Sequence, residues 1–139
     1  MRYFIDELLF DGKMIRCAGW AAPEDLGDPV EVTLRDEQDR LLPIPVEKSP
    51  RPDVVAAMYG VKDRSEDYGF SFTFAPEDRM YVYISMEAVH FKLDRARKRI
   101  EIRDLTAAYR KEHSFFGRLK KKKEQRRARK EQRKAAEKQ

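Results

Sequence analysis

Over most of the first hundred positions, apolar and polar residues alternate with a period of two, the mark of half-buried strands. Residues 3–10 and 13–20 flank Asp11-Gly12, a pair suited to the left-handed geometry of a tight hairpin turn. Ile15 and Cys17 share one face of the second strand, and Trp20 falls on the other unless Gly19 marks a bulge. Val30, Val32 and Leu34 alternate with Glu31, Thr33 and Arg35, which predicts a strand with one wet face. Leu42, Ile44 and Val46 line a further strand, placed at a sheet edge because Pro43 and Pro45 donate no ladder hydrogen bond. Phe70, Phe72 and Phe74 alternate with Ser71 and Thr73, and residues 80–86 carry apolar or aromatic groups on both faces. Val89, Phe91 and Leu93 predict another strand, and Ile100 with Ile102 a last one.

One stretch breaks the alternation. Arg51-Pro52-Asp53-Val54-Val55-Ala56-Ala57-Met58-Tyr59-Gly60 predicts a short helix, with Asp53 as N-cap and Gly60 closing the end in a left-handed conformation. The acidic clusters at 24–25, 36–39, 63–67 and 77–78 coincide with turns, where Asp bonds its own backbone. From about Arg103 the spacing becomes helical, with Leu105, Ala108 and Tyr109 on one side and Ser114 as cap of a second segment. The fold class expected is all-β: an antiparallel β-sandwich of seven or eight short strands with one short helix, followed by a basic C-terminal α-helix. The domain organisation expected is a sandwich over 1–104, a helical linker over 105–117 and a projecting basic helix over 118–139.

Charge sharpens that division. Charged residues make up 40% of the chain against roughly 25% in ordinary domains. Residues 118–139 hold 12 Lys and Arg against 3 Glu, a net of +9, which leaves residues 1–117 at −4 of the chain's +5. Beyond Leu119 the only apolar side chains are Ala128, Ala135 and Ala136, so that helix has no face to bury. Three readings of it stay open. It is a solvated linker helix; or Phe115, Phe116 and Leu119 enter a membrane interface while Lys120, Lys121, Lys122, Lys123, Arg126 and Arg127 meet anionic lipid; or the same cations hold nucleic acid through its phosphates, without base stacking.

Candidate chemistry is sparse. Cys17, the only cysteine, forms no intrachain disulfide and sits beside Ile15 as a buried apolar thiol. His90 and His113 lack zinc-site spacing, and no glycine-rich phosphate loop or serine-nucleophile elbow occurs. No catalytic residue, metal or cofactor is expected. No apolar run reaches the roughly 18 residues of a membrane span, and acids stand where a signal peptide needs its apolar stretch. A cytoplasmic chain is expected, peripheral at the inner face of the plasma membrane if its tail binds lipid.

Gly19-Trp20-Ala21, Val30 to Leu34, Arg51-Pro52-Asp53-Val54 and Gly69-Phe70, in this order, resemble the small β-sandwich module at the N-terminus of some bacterial glycosyltransferases that build cell-surface polysaccharide. The resemblance covers residues 3–95. Similar modules precede a linker helix and a nucleotide-sugar transferase domain, and no Asp-x-Asp motif of such a domain can be placed here. The resemblance implies a non-catalytic accessory role, contacting carbohydrate or packing on a catalytic domain. It makes Trp20, Arg51 and Asp53 the ligand-binding candidates: Trp20 to stack on a sugar ring, Arg51 to bridge to Asp67 or a ligand oxygen. Against this stand plainer roles, with Trp20 a core anchor, Arg51 a pin for the short helix and Asp53 its cap. The partners expected through the tail are a catalytic glycosyltransferase domain or an anionic membrane; the alternative is a free-standing adaptor whose basic helix binds nucleic acid or an acidic protein.

Overall fold

The computed structural model describes residues 1–77 and 79–137, without the side chains of 115–118 and 137. The chain divides into two compact units, Met1–Ile102 and Arg103–Gln139. Among the described residues it forms seven strands and three helices. It is therefore a mixed chain rather than an all-β one.

In the first unit, β1 (Arg2–Phe10), β2 (Ile15–Ala22), β5 (Gly69–Phe74) and the three-residue β4 (Glu47–Ser49) form an antiparallel sheet in the order β1-β2-β5-β4. A second antiparallel sheet runs β3 (Val30–Arg35), β6 (Val82–Ala88), β7 (Arg95–Ile100). The period of two explains the burial. Ile15, Cys17 and Ala21 of β2 and Phe70, Phe72 and Phe74 of β5 are buried from the first sheet. Val32 and Leu34 of β3, Val82, Ile84 and Met86 of β6 and Ile100 of β7 are buried from the second. Each such large side chain contributes about 1.5–3 kcal/mol by leaving water. Phe72 lies between Phe70 and Phe74, with ring centroids 6.4 and 6.1 Å away.

Helix α1 (Pro52–Tyr59) adds Val54 and Val55 to the core and ends as its sequence predicts, with Gly60 at φ 68° donating its N–H to the Ala56 carbonyl. Its start differs. Arg51 occupies the N-cap position without a side-chain cap, because Pro52 opens the helix, and Asp53 lies in the first turn.

Three strand expectations are corrected. Residues 42–46 form no strand; Leu41 makes one isolated bridge to Arg35, and only past the two prolines does pairing resume as β4. Val89, Phe91 and Leu93 lie in a turn, 42%, 53% and 79% exposed. That turn is held by Asp28, whose carboxylate accepts the His90 and Phe91 N–H groups at 3.0 and 3.2 Å. The last strand is the basic β7, and Ile102 instead begins a helix.

The second unit is helical: α2 (Ile102–Glu112) and α3 (Phe115–Glu137), separated at His113-Ser114, with the Ser114 hydroxyl donating to the Lys111 carbonyl at 3.0 Å. Every described side chain from Leu119 to Ala136 is exposed.

Candidate functional site

Of the residues singled out by sequence, Trp20 lies on the outer face of the four-stranded sheet, and Arg51 and Asp53 lie at the start of α1. Alternation along β2 runs unbroken to Ala21, so Trp20 faces away from Ile15 and Cys17 and is half-buried rather than a core anchor. It pairs with Phe4 on one side and Gly69 on the other. Gly69 is glycine for want of room. A Cβ there would come within 2.4 Å of Ser49 Oγ and 2.8 Å of Arg51 Cγ. The missing side chain lets the Arg51 stem lie against the sheet beside Trp20's position in the ladder.

A bulge supplies the partner for Arg51. Ile5 pairs with Gly19 and Glu7 with Ala18, which leaves Asp6 without a partner across the ladder. The irregularity that Gly19 predicts in β2 thus has its extra residue in β1. Gly19 permits the close approach, since a Cβ on it would stand 2.3 Å from the Phe4 carbonyl oxygen. The Arg51 guanidinium donates from Nη1 to Asp6 Oδ2 at 3.0 Å, and from Nε and Nη2 to the two Asp53 oxygens at 2.9 Å each. The Asp53 hydrogen bonds, then those of Asp6, push the Arg51 pKa further up, and the Arg51 hydrogen bonds hold Asp53 below the usual carboxylate range. The expected bridge to Asp67 is replaced by this one. Asp53 is therefore a clamp on Arg51, and its charge also sits favourably in the first turn of α1. The fork retains N–H groups for a further acceptor.

Elsewhere the titratable groups are structural. Cys17 is fully buried, and burial, with the Glu7 charge adding, pushes its thiol up to about 12. The Tyr59 hydroxyl donates to the Pro23 carbonyl, while that of Tyr68 accepts from Gly27 N–H at 3.0 Å. Burial raises both phenols. Asp94, 7% exposed, accepts the Glu24 N–H at 2.7 Å and pairs with the Met1 amino group. Together these contacts fasten the 23–29 loop. Among the described residues no group of three or more His, Cys, Asp or Glu side chains could hold a metal ion.

On α3, Leu119 is 42% exposed, and Lys120, Lys121, Lys122, Lys123, Arg126 and Arg127 are exposed with it. At about 100° per residue, four consecutive lysines encircle the helix, so the charge is not confined to one side. The side chains of Phe115 and Phe116, the expected membrane anchors, lie outside the described residues. Among the described residues no helix is long and apolar enough to cross a membrane.

Sequence reasoning missed the outer face of the three-stranded sheet, where Arg95, Arg97 and Arg99 project from β7. The signal was present as the alternation Arg95-Ala96-Arg97-Lys98-Arg99-Ile100, but its wet side is cationic and its dry side reads weakly.

No family model, curated protein or solved structure matches the chain.

Proposed function

We propose that the chain is a non-catalytic accessory module of the bacterial glycosyltransferase kind, a β-sandwich whose basic C-terminal helix tethers it to a catalytic domain or to the inner membrane surface. The observation that carries this reading is the opposition between the two units. Residues 1–102 have a net charge of −5 and a buried apolar interior, whereas residues 103–139 have +10 and exposed side chains from Leu119 to Ala136. In this reading the two sheets stack face to face, which suits the single buried face of each. A cationic helix with no apolar stripe gains little by folding alone, and it gains about 1 kcal/mol per basic group near an anionic surface. Trp20 lies on the outer sheet face with the Arg51 stem against Gly69 of the neighbouring strand and Asp53 of α1 clamping the guanidinium, and a flat aromatic and a partly satisfied guanidinium suit a sugar ring or a neighbouring domain. The chain works in the cytoplasm.

Co-sedimentation with phosphatidylglycerol vesicles tests the tether. The full chain is expected to pellet with anionic vesicles and not with zwitterionic ones, and removal of residues 114–139 is expected to abolish binding. Salt-sensitive binding to RNA with none to vesicles would replace the tether by the adaptor reading, in which the same helix holds nucleic acid or an acidic protein.

A further inference from the structure

The outer face of the β3-β6-β7 sheet presents three rows of side chains, one from each strand. Glu31, Glu87 and Arg95 form the first, Thr33, Ser85 and Arg97 the second, and Arg35, Tyr83 and Arg99 the third. The short Thr33 and Ser85 side chains floor a concavity of about 670 Å³ between the longer rows. The third row and Arg97 are locked internally. The Arg97 guanidinium lies 3.9 Å from the Tyr83 ring centroid and donates to the Asp36 carbonyl at 3.1 Å. Arg35 donates to Thr33 Oγ1 at 3.2 Å and to the Asp39 carbonyl at 3.1 Å.

The first row is different. Glu31 stands directly across from Glu87, and like charges so placed cost stability. Arg95 stands across from Glu87 on the other side, yet among the described residues none of the three side chains makes an ion pair or hydrogen bond. Among the described residues Lys92 at the rim has no partner either. The concavity thus offers two carboxylates, a guanidinium fork and an ammonium with no partner among the described residues, and the Ser85 hydroxyl beside a Thr33 hydroxyl that already accepts from Arg35.

We infer that this face is a binding site for a short neutral oligosaccharide. Charge complementarity selects the class. Four cations (Arg35, Lys92, Arg95, Arg97) stand among three carboxylates (Glu31, Asp39, Glu87), so the lining is nearly balanced and suits neither a polyanion nor a polycation. A polyol donates and accepts at adjacent carbons. Glu31 and Glu87 accept its hydroxyl protons, while Arg95 and Lys92 donate to its oxygens. Arg97, stacked on the Tyr83 ring, closes one end of the lining. The volume lies within the roughly 300–1,000 Å³ of small-ligand sites.

This site shares no residue with α3 or with the Trp20–Arg51 face, so its test is separate from that of the tether. The full chain is screened on immobilised neutral glycans, with oligouridylate and oligogalacturonate as charged competitors, and each hit is measured by NMR titration. Binding of a neutral glycan is expected, with backbone shifts in β3, β6 and β7. E87Q, which keeps the shape and removes the charge, and R95A are each expected to weaken binding by about tenfold or more, as lost charged hydrogen bonds do. K62A, at an exposed loop position outside this lining, is expected to leave affinity unchanged. Absence of any neutral hit, preference for either polyanion, or E87Q and R95A affinities within about twofold of the native value would overturn the inference.

Discussion

Gly19→Ala places one methyl group where the hairpin has no space for it. The added Cβ would stand 2.3 Å from the Phe4 carbonyl oxygen, with the Ile5 Cα and the Phe70 ring each 3.2 Å away. The offending atom is backbone, in a strand anchored at both ends, so it cannot swing aside as a side chain would. Relief requires β1 and β2 to part by most of an ångström at the bulge that aims Asp6 at Arg51. Overpacking of this kind costs about 1–3 kcal/mol, and stretching of the neighbouring ladder bonds adds about 1 kcal/mol. The loss of unfolded-state freedom returns about 0.4–1 kcal/mol. The net expectation is a loss of about 1–3.5 kcal/mol, or about 4–28 °C in Tm for a body of this size. Urea unfolding followed by tryptophan fluorescence measures it, since Trp20 is the only tryptophan. Gly60→Ala is the control: it has open space around the new Cβ and meets only the cost of φ 68°, about 1–2 kcal/mol. A Gly19→Ala protein as stable as the native one would refute the close approach and, with it, the bulge.

Phe72→Ala, removing a ring 4% exposed, should cost about 3–5 kcal/mol in the same assay; a loss below about 1 kcal/mol would put the β5 register one residue out. With its thiol raised to about 12, Cys17 should carry about 10³-fold less thiolate near pH 8.5 than a free cysteine. A disulfide reagent should therefore label it only in denaturant, and prompt labelling of the native chain would contradict its burial. Asp53, Asp28 and Asp36 titrate below their ordinary range in the folded chain: the Arg51 hydrogen bonds lower Asp53, while hydrogen bonds outweigh desolvation at Asp28 and Asp36. Depressed carboxylates stabilise the fold above their unfolded pKa of about 3.9 and cease to do so as pH falls through the folded values. Tm should therefore drop below about pH 4, and Asp53→Asn should flatten that drop; a Tm that rises on acidification would reverse the sign.

Where burial follows directly from alternation, as in Val30 to Leu34 and Phe70 to Phe74, local sequence is enough to place a strand. The hairpin at Asp11-Gly12 and the left-handed Gly60 were legible for the same local reason, although the hairpin loop takes four residues, 11–14, rather than two, because Asp11 accepts the Lys13 and Met14 N–H groups. The misplaced elements depend on distant partners. The turn at 89–93 exists because Asp28, more than sixty residues earlier, holds its amides, and without that contact Val89, Phe91 and Leu93 look like a strand. Strand β7 is assigned by pairing to β6 and not by its own hydrophobicity. The candidate site divides the same way. Gly19-Trp20, Arg51 and Asp53 were visible as motifs, but the second partner of Arg51, Asp6, is brought round by an extra residue in the strand opposite Gly19.

Everything rests on the claim that the β unit holds its own interior while α3 has none. Amide hydrogen exchange of the full chain in dilute buffer tests this residue by residue. Amides of β2 and β6, each paired on both sides, should exchange only through global unfolding, while those from Leu119 to Ala136 exchange faster by orders of magnitude. Protection of the α3 amides equal to that of β2 would contradict the account.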